Sequence, residues 1–471
     1  MIVTRLKNRW YEETGYRAVL RLALPLILST GVWSLQQFVD RVFLSWYAPE
    51  AIAASAPAGI ANFALFSFFI GIGAYVNTFV AQYYGAGRPQ RVGRAVWQGL
   101  YFTLAASLIV ALAQPFSADL FRLVGHPEGV QRQEVAYFHM LLYGAPAAIV
   151  TAVVGAFFSG LGRPWIILWA DIMATLINLV LDYVLIFGRA GFPEMGIAGA
   201  GLATVIAVSF SAVFLLIMFL SKHNADAYAT RSAWRYDAEL FRRLLRYGAP
   251  NGLQLFLEVS AFTFFIFIMG RVGMIELAAT NIAFNINSLV FMPMIGMMTA
   301  VSTLVGQSLG KEQPAAAERL TWSAFHIAMS FFATLCFCYF FFPGLFLMPF
   351  LWQMEAASFQ PIATLASRLL RFVAVYSIFD AMNMIFSAAL KGAGDTRYVA
   401  KTTIRLAWLV MTFPALVAWH FFGKGVYWMW GFVTLYVIAL GLSFWWRFQT
   451  GIWKTMRVIE PDAAENQFLL D

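Results

Sequence analysis

Five carboxylic acids lie well inside long apolar stretches of the sequence. They are Asp40, Asp171, Asp182, Glu258 and Asp380. If these stretches lie in a bilayer, each ionised carboxylate costs roughly 2.5–3.5 kcal/mol at mid-depth, so five cost roughly 12–17 kcal/mol, more than a whole fold usually contributes. Some of them must therefore face a shared aqueous cavity, where a carboxylate can capture a proton or another cation.

Amide and hydroxyl groups accompany these acids at helical spacing. Asn178 precedes Asp182 by four residues, which places both on one face of a helix. Further along the chain, Asn281, Asn285 and Ser288 also share one helical face. Carboxylates together with amide and hydroxyl oxygens suit a hard cation such as Na⁺, whereas a bare buried carboxylate suits a proton. The residues alone do not distinguish the two ions.

Each acid also has a structural interpretation. Asp171 closely follows the sequence GRPWIILWA and is expected to reach the headgroups at the membrane surface, so we exclude it from the ion site. Asp40 is followed by Arg41, and a local ion pair near the end of a span is the alternative there. For Glu258 and Asp380 the alternative is a purely structural polar contact between helices.

Composition identifies the class of protein. The chain has 471 residues, of which 61% are hydrophobic and 12% charged, whereas about a quarter of the residues of a soluble protein are charged. Twelve apolar stretches are long enough to cross a bilayer as helices. They lie near residues 16–44, 51–82, 92–114, 132–157, 165–187, 197–221, 243–270, 276–307, 317–342, 361–389, 400–421 and 426–447. We therefore predict an all-α polytopic membrane protein with twelve transmembrane helices.

The distribution of basic residues predicts the orientation in the membrane. If the N-terminus is cytoplasmic, 24 of the 32 lysines and arginines fall on the cytoplasmic side. This predicts that both termini are cytoplasmic and that the first span is not cleaved. The net charge of +8 is then a topology signal and a contact with anionic lipids, rather than a nucleic-acid site.

The chain repeats itself at an offset of 225 residues. Identical pairs include Pro25/Pro250, Asn62/Asn287, Gly71/Gly296, Gln82/Gln307 and Gly85/Gly310. Six spans separate the copies, so we predict two similarly oriented six-helix bundles around a central cleft. We expect an N-terminal lobe over 1–221, a cytoplasmic linker over 222–242, a C-terminal lobe over 243–450 and a short cytoplasmic tail over 451–471.

Two features of the repeat bear on function. Pro25 and Pro250 lie inside spans one and seven, where each removes a backbone hydrogen bond; they either kink the helix without further consequence or free a carbonyl near the cleft. Gly85 and Gly310 stand at span ends, where glycine stops a helix. The acids are not duplicated, since Asp40 aligns with Phe265 and Glu258 with Trp33, so the lobes are expected to be specialised.

Catalytic chemistry is poorly supported. The five histidines are scattered without metal-ligand spacing, and Cys336 and Cys338 lie in an apolar span at a spacing that zinc sites do not use. The glycine-rich stretch over 196–204 is better explained by close helix packing than by phosphate binding. We therefore expect neither an enzyme nor a cofactor.

In order and spacing, these residues resemble the multidrug and toxic compound extrusion (MATE) transporters over about residues 15 to 450. Glu258 and Asp380 resemble acids that the NorM-like branch of the family uses to bind cations. Asp40, Asn178 and Asp182, with Thr204 as a weaker match, resemble the N-lobe cluster linked to proton or sodium coupling in the DinF-like branch. Because the sequence carries both clusters, the resemblance leaves the coupling ion open.

The resemblance implies a secondary antiporter in the bacterial inner membrane. It implies export of organic cations, often drugs, by alternating access in exchange for Na⁺ or H⁺, with no cofactor; we expect a monomer in contact with lipid. A lipid-linked oligosaccharide flippase of the same superfamily is the first alternative, and it requires a basic cavity for phosphates. A membrane enzyme or a non-transporting membrane protein is the second, and it requires a catalytic constellation or an appended domain.

Overall fold

The structure is a computed structural model that describes residues 9–112, 114–124, 126–351, 356–423 and 425–461. Across these residues the chain is helical, and none of them lies in a β-strand. The predicted all-α class is confirmed. Helices are the expected solution in a bilayer, because a helix satisfies all of its backbone hydrogen bonds internally.

The first half of the chain forms nine helices among its described residues. They are α1 (Tyr16–Tyr47), α2 (Pro49–Ala74), α3 (Val76–Gly85), α4 (Pro89–Ala111), α5 (Ser117–Val124), α6 (Glu128–Tyr143), α7 (Ala145–Gly160), α8 (Trp165–Ile186) and α9 (Gly196–Phe219). A short helix, α10 (Lys222–Tyr228), follows and leads into the second half. At the end of that connection, Asp237 caps α11 by accepting a hydrogen bond from the backbone N–H of Leu240.

The second half repeats this arrangement with longer helices. They are α11 (Ala238–Val272), α12 (Met274–Gly310), α13 (Pro314–Phe341), α14 (Pro343–Leu351), α15 (Ala356–Ala393), α16 (Thr396–Leu406), α17 (Phe413–Phe422) and α18 (Val426–Gln449). A π-helical turn over Ala407–Thr412 joins α16 to α17. A 3-10 helix, Ile452–Thr455, follows α18.

The number of membrane spans agrees with the sequence. Eleven spans in the described chain are long and apolar enough to cross a membrane, and the pair α6 and α7 forms the twelfth with a bend of 45°. The bend lies at Gly144, two residues before Pro146, whose missing N–H interrupts the helical hydrogen bonding. The protein is a multi-pass membrane protein with twelve spans.

Two hydrophobic cores lie side by side. One is built mainly from helices of the first half and includes Phe79, Phe157 and Phe158, all essentially inaccessible. The other is built mainly from helices of the second half, together with the start of α1, and includes Trp430 and Phe332. We call the two bundles the N-lobe and the C-lobe. Twelve crossings place Tyr16 and Gln449 at the same membrane face, which we call the terminal face.

The lobes meet at two helix crossings, which the repeat relates to each other. In one, α2 packs on α11, and a Cβ built on Gly71 would lie 2.7 Å from the Cα of Gly252. In the other, α12 packs on α1, and a Cβ on Gly296 would lie 2.6 Å from the backbone nitrogen of Ile27. The offset of 225 residues that relates Gly71 to Gly296 also relates Ile27 to Gly252. Glycine allows the backbones to approach this closely.

A second reciprocal contact lies nearer the terminal face. A Cβ on Gly85 would lie 2.1 Å from the carbonyl oxygen of Gln307, and one on Gly310 would lie 2.3 Å from that of Gln82. The sequence analysis attributed these two glycines to helix ends alone. The structure shows that they also let the tips of α3 and α12 touch across the lobes, which offset alignment could not reveal.

Candidate functional site

The N-lobe acids of the prediction come together inside the bundle. Helix α1 supplies Asp40, and α8 supplies Asn178 and Asp182 from one face. Asn178 and Asp182 are fully buried, and Asp40 is 4% exposed. The carboxyl groups of Asp40 and Asp182 lie within interaction range of each other, and Tyr137 of α6 lies near both. The structure therefore joins residues that are 142 positions apart in the chain.

This N-lobe cluster has polar atoms without protein partners. Within the described part of the chain, no hydrogen bond reaches either carboxylate oxygen of Asp182, either polar side-chain atom of Asn178, or Oδ1 of Asp40. Two ionised carboxylates cannot donate to each other, and a buried unpaired polar group costs free energy. A proton shared by the two acids, or a cation held between them, would satisfy these atoms.

Thr204 is less closely tied to this cluster. It lies half-buried on α9, which packs against α8, and its hydroxyl donates to the carbonyl of Ala200 in its own helix at 3.0 Å. In the geometry described, Thr204 makes no hydrogen bond to the N-lobe acids.

Asp171 and Asp40 were the two acids for which the sequence offered a structural explanation near a span end. Asp171 accepts a hydrogen bond from the hydroxyl of Ser29, so it pairs with α1, and its expected contact with the headgroups stays a prediction. Arg41 is exposed and interacts electrostatically with Asp40, although no salt bridge joins the two side chains among the residues described. The local-pair interpretation of Asp40 therefore stays an alternative.

The C-lobe acids form a second cluster. Glu258 of α11 is half-buried, and Asp380 of α15 is 7% exposed. Asp380 accepts a hydrogen bond from the amide of Asn383 at 3.1 Å, while Gln254, one turn before Glu258, lies beside that carboxylate. Glu258 and Asp380 are close enough to interact electrostatically. The expectation that these two acids share a site is consistent with this geometry.

Two tyrosines complete the C-lobe cluster, and sequence reasoning missed them. Tyr376 lies one turn before Asp380 and is 3% exposed, and Tyr436 of α18 lies near both Glu258 and Asp380. The hydroxyl of Tyr436 has no protein partner among the described residues. The spacing of four residues could have identified Tyr376, whereas Tyr436 comes from a different span and gave no local signal.

One lysine also belongs to this region. Lys391, near the end of α15, interacts electrostatically with Glu258. Its backbone carbonyl accepts a hydrogen bond from the hydroxyl of Tyr75 in the N-lobe at 2.9 Å. No role was predicted for Lys391 from the sequence.

The polar residues of α12 lie apart from the acids. Asn281, Asn285 and Ser288 are exposed, and the hydroxyl of Ser288 donates to the carbonyl of Asn285 at 2.8 Å. Asn285 precedes Gly296 by 11 residues, about three helical turns, so both point toward α1. No hydrogen bond in the described chain joins these residues to Glu258 or Asp380.

Glu258 also faces the space between the lobes. It follows Asn251 by seven residues, about two helical turns, and therefore shares its face. Asn251 donates to the carbonyl of Gly71 across the lobe interface at 2.7 Å. Glu258 thus lies on the α2-facing side of α11, two turns beyond the crossing.

The two prolines flank the lobe crossings. Pro25 is buried immediately before Leu26 and Ile27, which contact Gly296. Pro250 precedes Asn251 and Gly252, which contact Gly71. Both helices continue through their prolines, and each proline leaves one carbonyl a turn earlier without its helical partner. Their position supports a role at the interface, beyond a simple kink.

Cross-lobe hydrogen bonds close the terminal face. The amide of Gln82 donates to the carbonyl of Gly392 at 3.0 Å, and that of Gln307 donates to the carbonyl of Gly160 at 2.8 Å. Between them, the side-chain oxygen of Asn77 accepts from both Ser159 of the N-lobe and Thr303 of the C-lobe. In the described chain, every hydrogen bond between the lobes lies in the half nearer this face. Hydrogen bonds therefore join the two lobes at the terminal face.

Among the described residues, no group of three or more His, Cys, Asp or Glu side chains could hold a metal ion. Each cluster instead combines two carboxylates with amide or hydroxyl groups. The glycine-rich stretch over 196–204 is explained by packing, since a Cβ on Gly199 would lie 2.8 Å from the backbone of Leu185.

The chain matches a known family model twice. The model described as MatE covers residues 25–184 and again residues 250–416, and the two matches begin at the offset of the internal repeat. The chain belongs to the MATE family. The resemblance inferred from its residues is confirmed, and the family consists of transporters rather than enzymes.

Named relatives of this MATE chain are bacterial. It is 30% identical over 402 residues to a probable multidrug resistance protein NorM of Bradyrhizobium diazoefficiens, covering 85% of each chain. It is 28% identical over 455 residues to a protein of the same name from Pseudomonas syringae pv. tomato, covering 95% of this chain and 96% of the relative. A probable multidrug resistance protein YoeA of Bacillus subtilis is 27% identical and covers 97% of both chains.

Solved structures share the fold of this MATE chain. One, described as an outward-facing conformation of a multidrug resistance MATE family transporter, superposes with a TM-score of 0.85 at 21% identity, covering 94% of this chain and 97% of the other. Another, a transporter from Pyrococcus furiosus described as having a binding pocket of reverse polarity, superposes with a TM-score of 0.83 at 22% identity over the same shares.

Proposed function

We propose that this MATE chain exports organic cations in exchange for Na⁺ or H⁺ moving inward. Its relatives named NorM and YoeA are described as probable multidrug resistance proteins. We place the chain in the bacterial cytoplasmic membrane with the terminal face in the cytoplasm, because 24 of 32 basic residues lie on that side. With this orientation we propose that the conformation is closed toward the cytoplasm, because the hydrogen bonds that join the lobes lie in the cytoplasmic half.

The observation that carries this proposal is the partial exposure of Glu258, compared with the enclosure of the N-lobe acids. Asp40, Asn178 and Asp182 are at most 4% exposed. This enclosure suits a proton or a small inorganic ion better than an organic cation. Glu258 is half-buried on the face of α11 that points between the lobes, with Tyr376 and Tyr436 close to the C-lobe acids. A carboxylate beside aromatic rings suits an organic cation.

The two clusters give a physical basis for exchange. In the outward-facing state, an ion entering the N-lobe is shared by Asp40 and Asp182 and removes their mutual repulsion, which changes how α1 and α8 pack. Because α1 also packs on α12, this change reaches the C-lobe and weakens its hold on the organic cation. In a one-for-one exchange of monovalent cations, the ion moving inward offsets the cost of moving the organic cation outward, about 2.3 kcal/mol per 100 mV of membrane potential, so the concentration gradient of the ion drives uphill export.

A flippase for phosphate-linked lipids is less well supported. Such a substrate requires a positively charged cavity. In the described chain the C-lobe cluster carries two carboxylates and one lysine, so its formal charge is negative when both acids are ionised. We therefore favour a cationic substrate. One chain carries both lobes, and we propose that a monomer is sufficient for transport.

Transport in proteoliposomes tests the proposal. Purified protein is reconstituted, and efflux of a fluorescent organic cation is followed with a Na⁺ gradient, a H⁺ gradient or neither imposed. We expect one of the two gradients to drive accumulation against the dye gradient. Dye movement that does not depend on either ion gradient, or preferential movement of a phosphorylated lipid, would overturn the proposed function.

A further inference from the structure

The segment that follows the last span crosses from one lobe to the other. After α18 the chain turns at Gly451, where φ is +70°, and enters the short 3-10 helix. Trp453 is fully buried in the core of the C-lobe. Only a few residues later, Val458 is fully buried in the core of the N-lobe, and Ile459 is 8% exposed there. We call residues 452–460 the latch segment.

Polar contacts hold both ends of the latch segment. At its start, Lys454 forms an ion pair with Glu318 of α13 in the C-lobe, with 2.6 Å between Nζ and Oε2. Further along, the backbone N–H of Val458 donates to the side-chain oxygen of Gln82 at 2.8 Å. Because the amide of Gln82 donates to Gly392 across the lobes, one glutamine ties the segment to the closed interface.

Glu460 ends the segment among three arginines. Its carboxylate accepts a hydrogen bond from the hydroxyl of Tyr83 at 2.6 Å and pairs with Arg91 at 3.1 Å and Arg243 at 3.6 Å. Its backbone carbonyl accepts a hydrogen bond from Arg88 at 2.8 Å. Arg88 and Arg91 flank the start of α4, whereas Arg243 lies on α11, so Glu460 bridges a helix of each half of the chain.

We propose that the latch segment stabilises the conformation that is closed at the terminal face, with Glu460 as its positioning residue. Trp453 and Val458 are anchored in different cores, so the lobes cannot separate at this face unless one of them leaves its core. The stability of this docking then sets how readily the transporter opens toward its terminal face. This role in the cycle rests on the proposed alternating-access function, but the docking itself can be measured without transport.

Distance measurements between spin labels test the proposal. Gln90, at the exposed start of α4, and Gln313, in the exposed turn after α12, are replaced by cysteine and labelled, with Cys336 and Cys338 replaced by alanine. The purified full chain is studied in lipid nanodiscs by pulsed electron paramagnetic resonance. In the parent protein we expect a dominant short distance.

Two variants remove different parts of the docking. Glu460→Gln removes the charge, and Val458→Ser removes the apolar anchor. For each we expect the ratio of long to short distances to rise about fivefold, which is roughly 1 kcal/mol, the size of one or two partly exposed ion pairs or a partly lost apolar contact. Glu460→Asp should restore most of the short population.

Asp226→Asn provides the matched control, since it removes an exposed acid from α10 at the same face. It should leave the distances unchanged. Unaltered distances in both Glu460→Gln and Val458→Ser would overturn the latch, even if transport proves to be ion-driven. Conversely, shifted distances with no ion-driven transport would retain the latch and reject the proposed function.

Discussion

The acids of the two lobes occupy different environments. In the N-lobe, Asp40 and Asp182 face each other in a closed space, and neither oxygen of Asp182 has a hydrogen-bond partner in the described chain. In the C-lobe, Asp380 accepts from Asn383, and Glu258 lies half-buried toward the other lobe. The acids of the two lobes thus differ at one position: Asp40, Asp182 and Asp380 are buried, whereas Glu258 is partly exposed, and we propose that Glu258 makes the C-lobe site the one for the larger cation.

The largest expected effect is on the N-lobe. Asp182→Asn removes one of the two facing carboxyls, so we expect export to lose its coupling to the ion that moves inward. The accumulation ratio of the dye should then fall about fiftyfold per 100 mV of membrane potential. The measurement is dye accumulation in proteoliposomes. Asp171→Asn is the control, because an asparagine oxygen can still accept from Ser29. Equal losses in both variants would contradict a special role for Asp182.

A smaller effect is expected at the accessible acid of the C-lobe. Glu258→Gln keeps the shape of the side chain but removes its charge, so the affinity for a fluorescent organic cation should fall about tenfold, as expected for loss of one charged contact. Equilibrium binding to purified protein measures this change. Glu50→Gln, at the exposed start of α2, should leave the affinity unaltered. An unchanged affinity in Glu258→Gln would remove this residue from the substrate site.

The closed interface offers a comparison of two equivalent glutamines. Gln82 makes two hydrogen bonds, to Gly392 and Val458, whereas Gln307 makes one, to Gly160. A buried hydrogen bond contributes about 1 kcal/mol, so Gln82→Ala should lower the free energy of unfolding by about twice as much as Gln307→Ala. Thermal unfolding of the purified protein compares them. An equal or larger loss of stability in Gln307→Ala would contradict a stabilising contact between Gln82 and the latch segment.

The smallest effect concerns a hydroxyl near both C-lobe acids. Tyr436→Phe keeps the aromatic ring but removes a group that has no protein partner in the described residues, so dye affinity should change only about threefold. Tyr339→Phe is the matched control, since its hydroxyl is also buried and unpartnered there. If both variants behave alike, Tyr436 has no particular role in binding.

The fold was largely predictable from the sequence. Apolar length determines where helices can cross a bilayer, and the offset of 225 residues predicted two similar bundles. Pairs such as Asn178 and Asp182 were also recognisable, because helical spacing places them on one face.

The rest of the site required the tertiary structure. Tyr436 approaches Glu258 from another span, and no spacing in the sequence relates them. The sequence analysis expected acids to share one aqueous cavity, whereas the structure encloses Asp40 and Asp182 within the N-lobe. Glu134 was missed because it lies at the start of its span, yet it is fully buried and its carboxylate contacts His126 at 2.7 Å. Burial depends on neighbouring helices, which the local sequence does not specify.

The central claim is that the N-lobe binds the coupling ion while the C-lobe binds the organic cation. Equilibrium binding of a fluorescent organic cation, measured at several H⁺ and Na⁺ concentrations, tests it most directly with Asp40→Asn/Asp182→Asn and Glu258→Gln/Asp380→Asn variants. We predict that the N-lobe variant still binds dye but no longer releases it as the ion concentration rises, whereas the C-lobe variant loses dye binding. Loss of dye binding in the N-lobe variant, or ion-dependent release that persists there, would contradict the account.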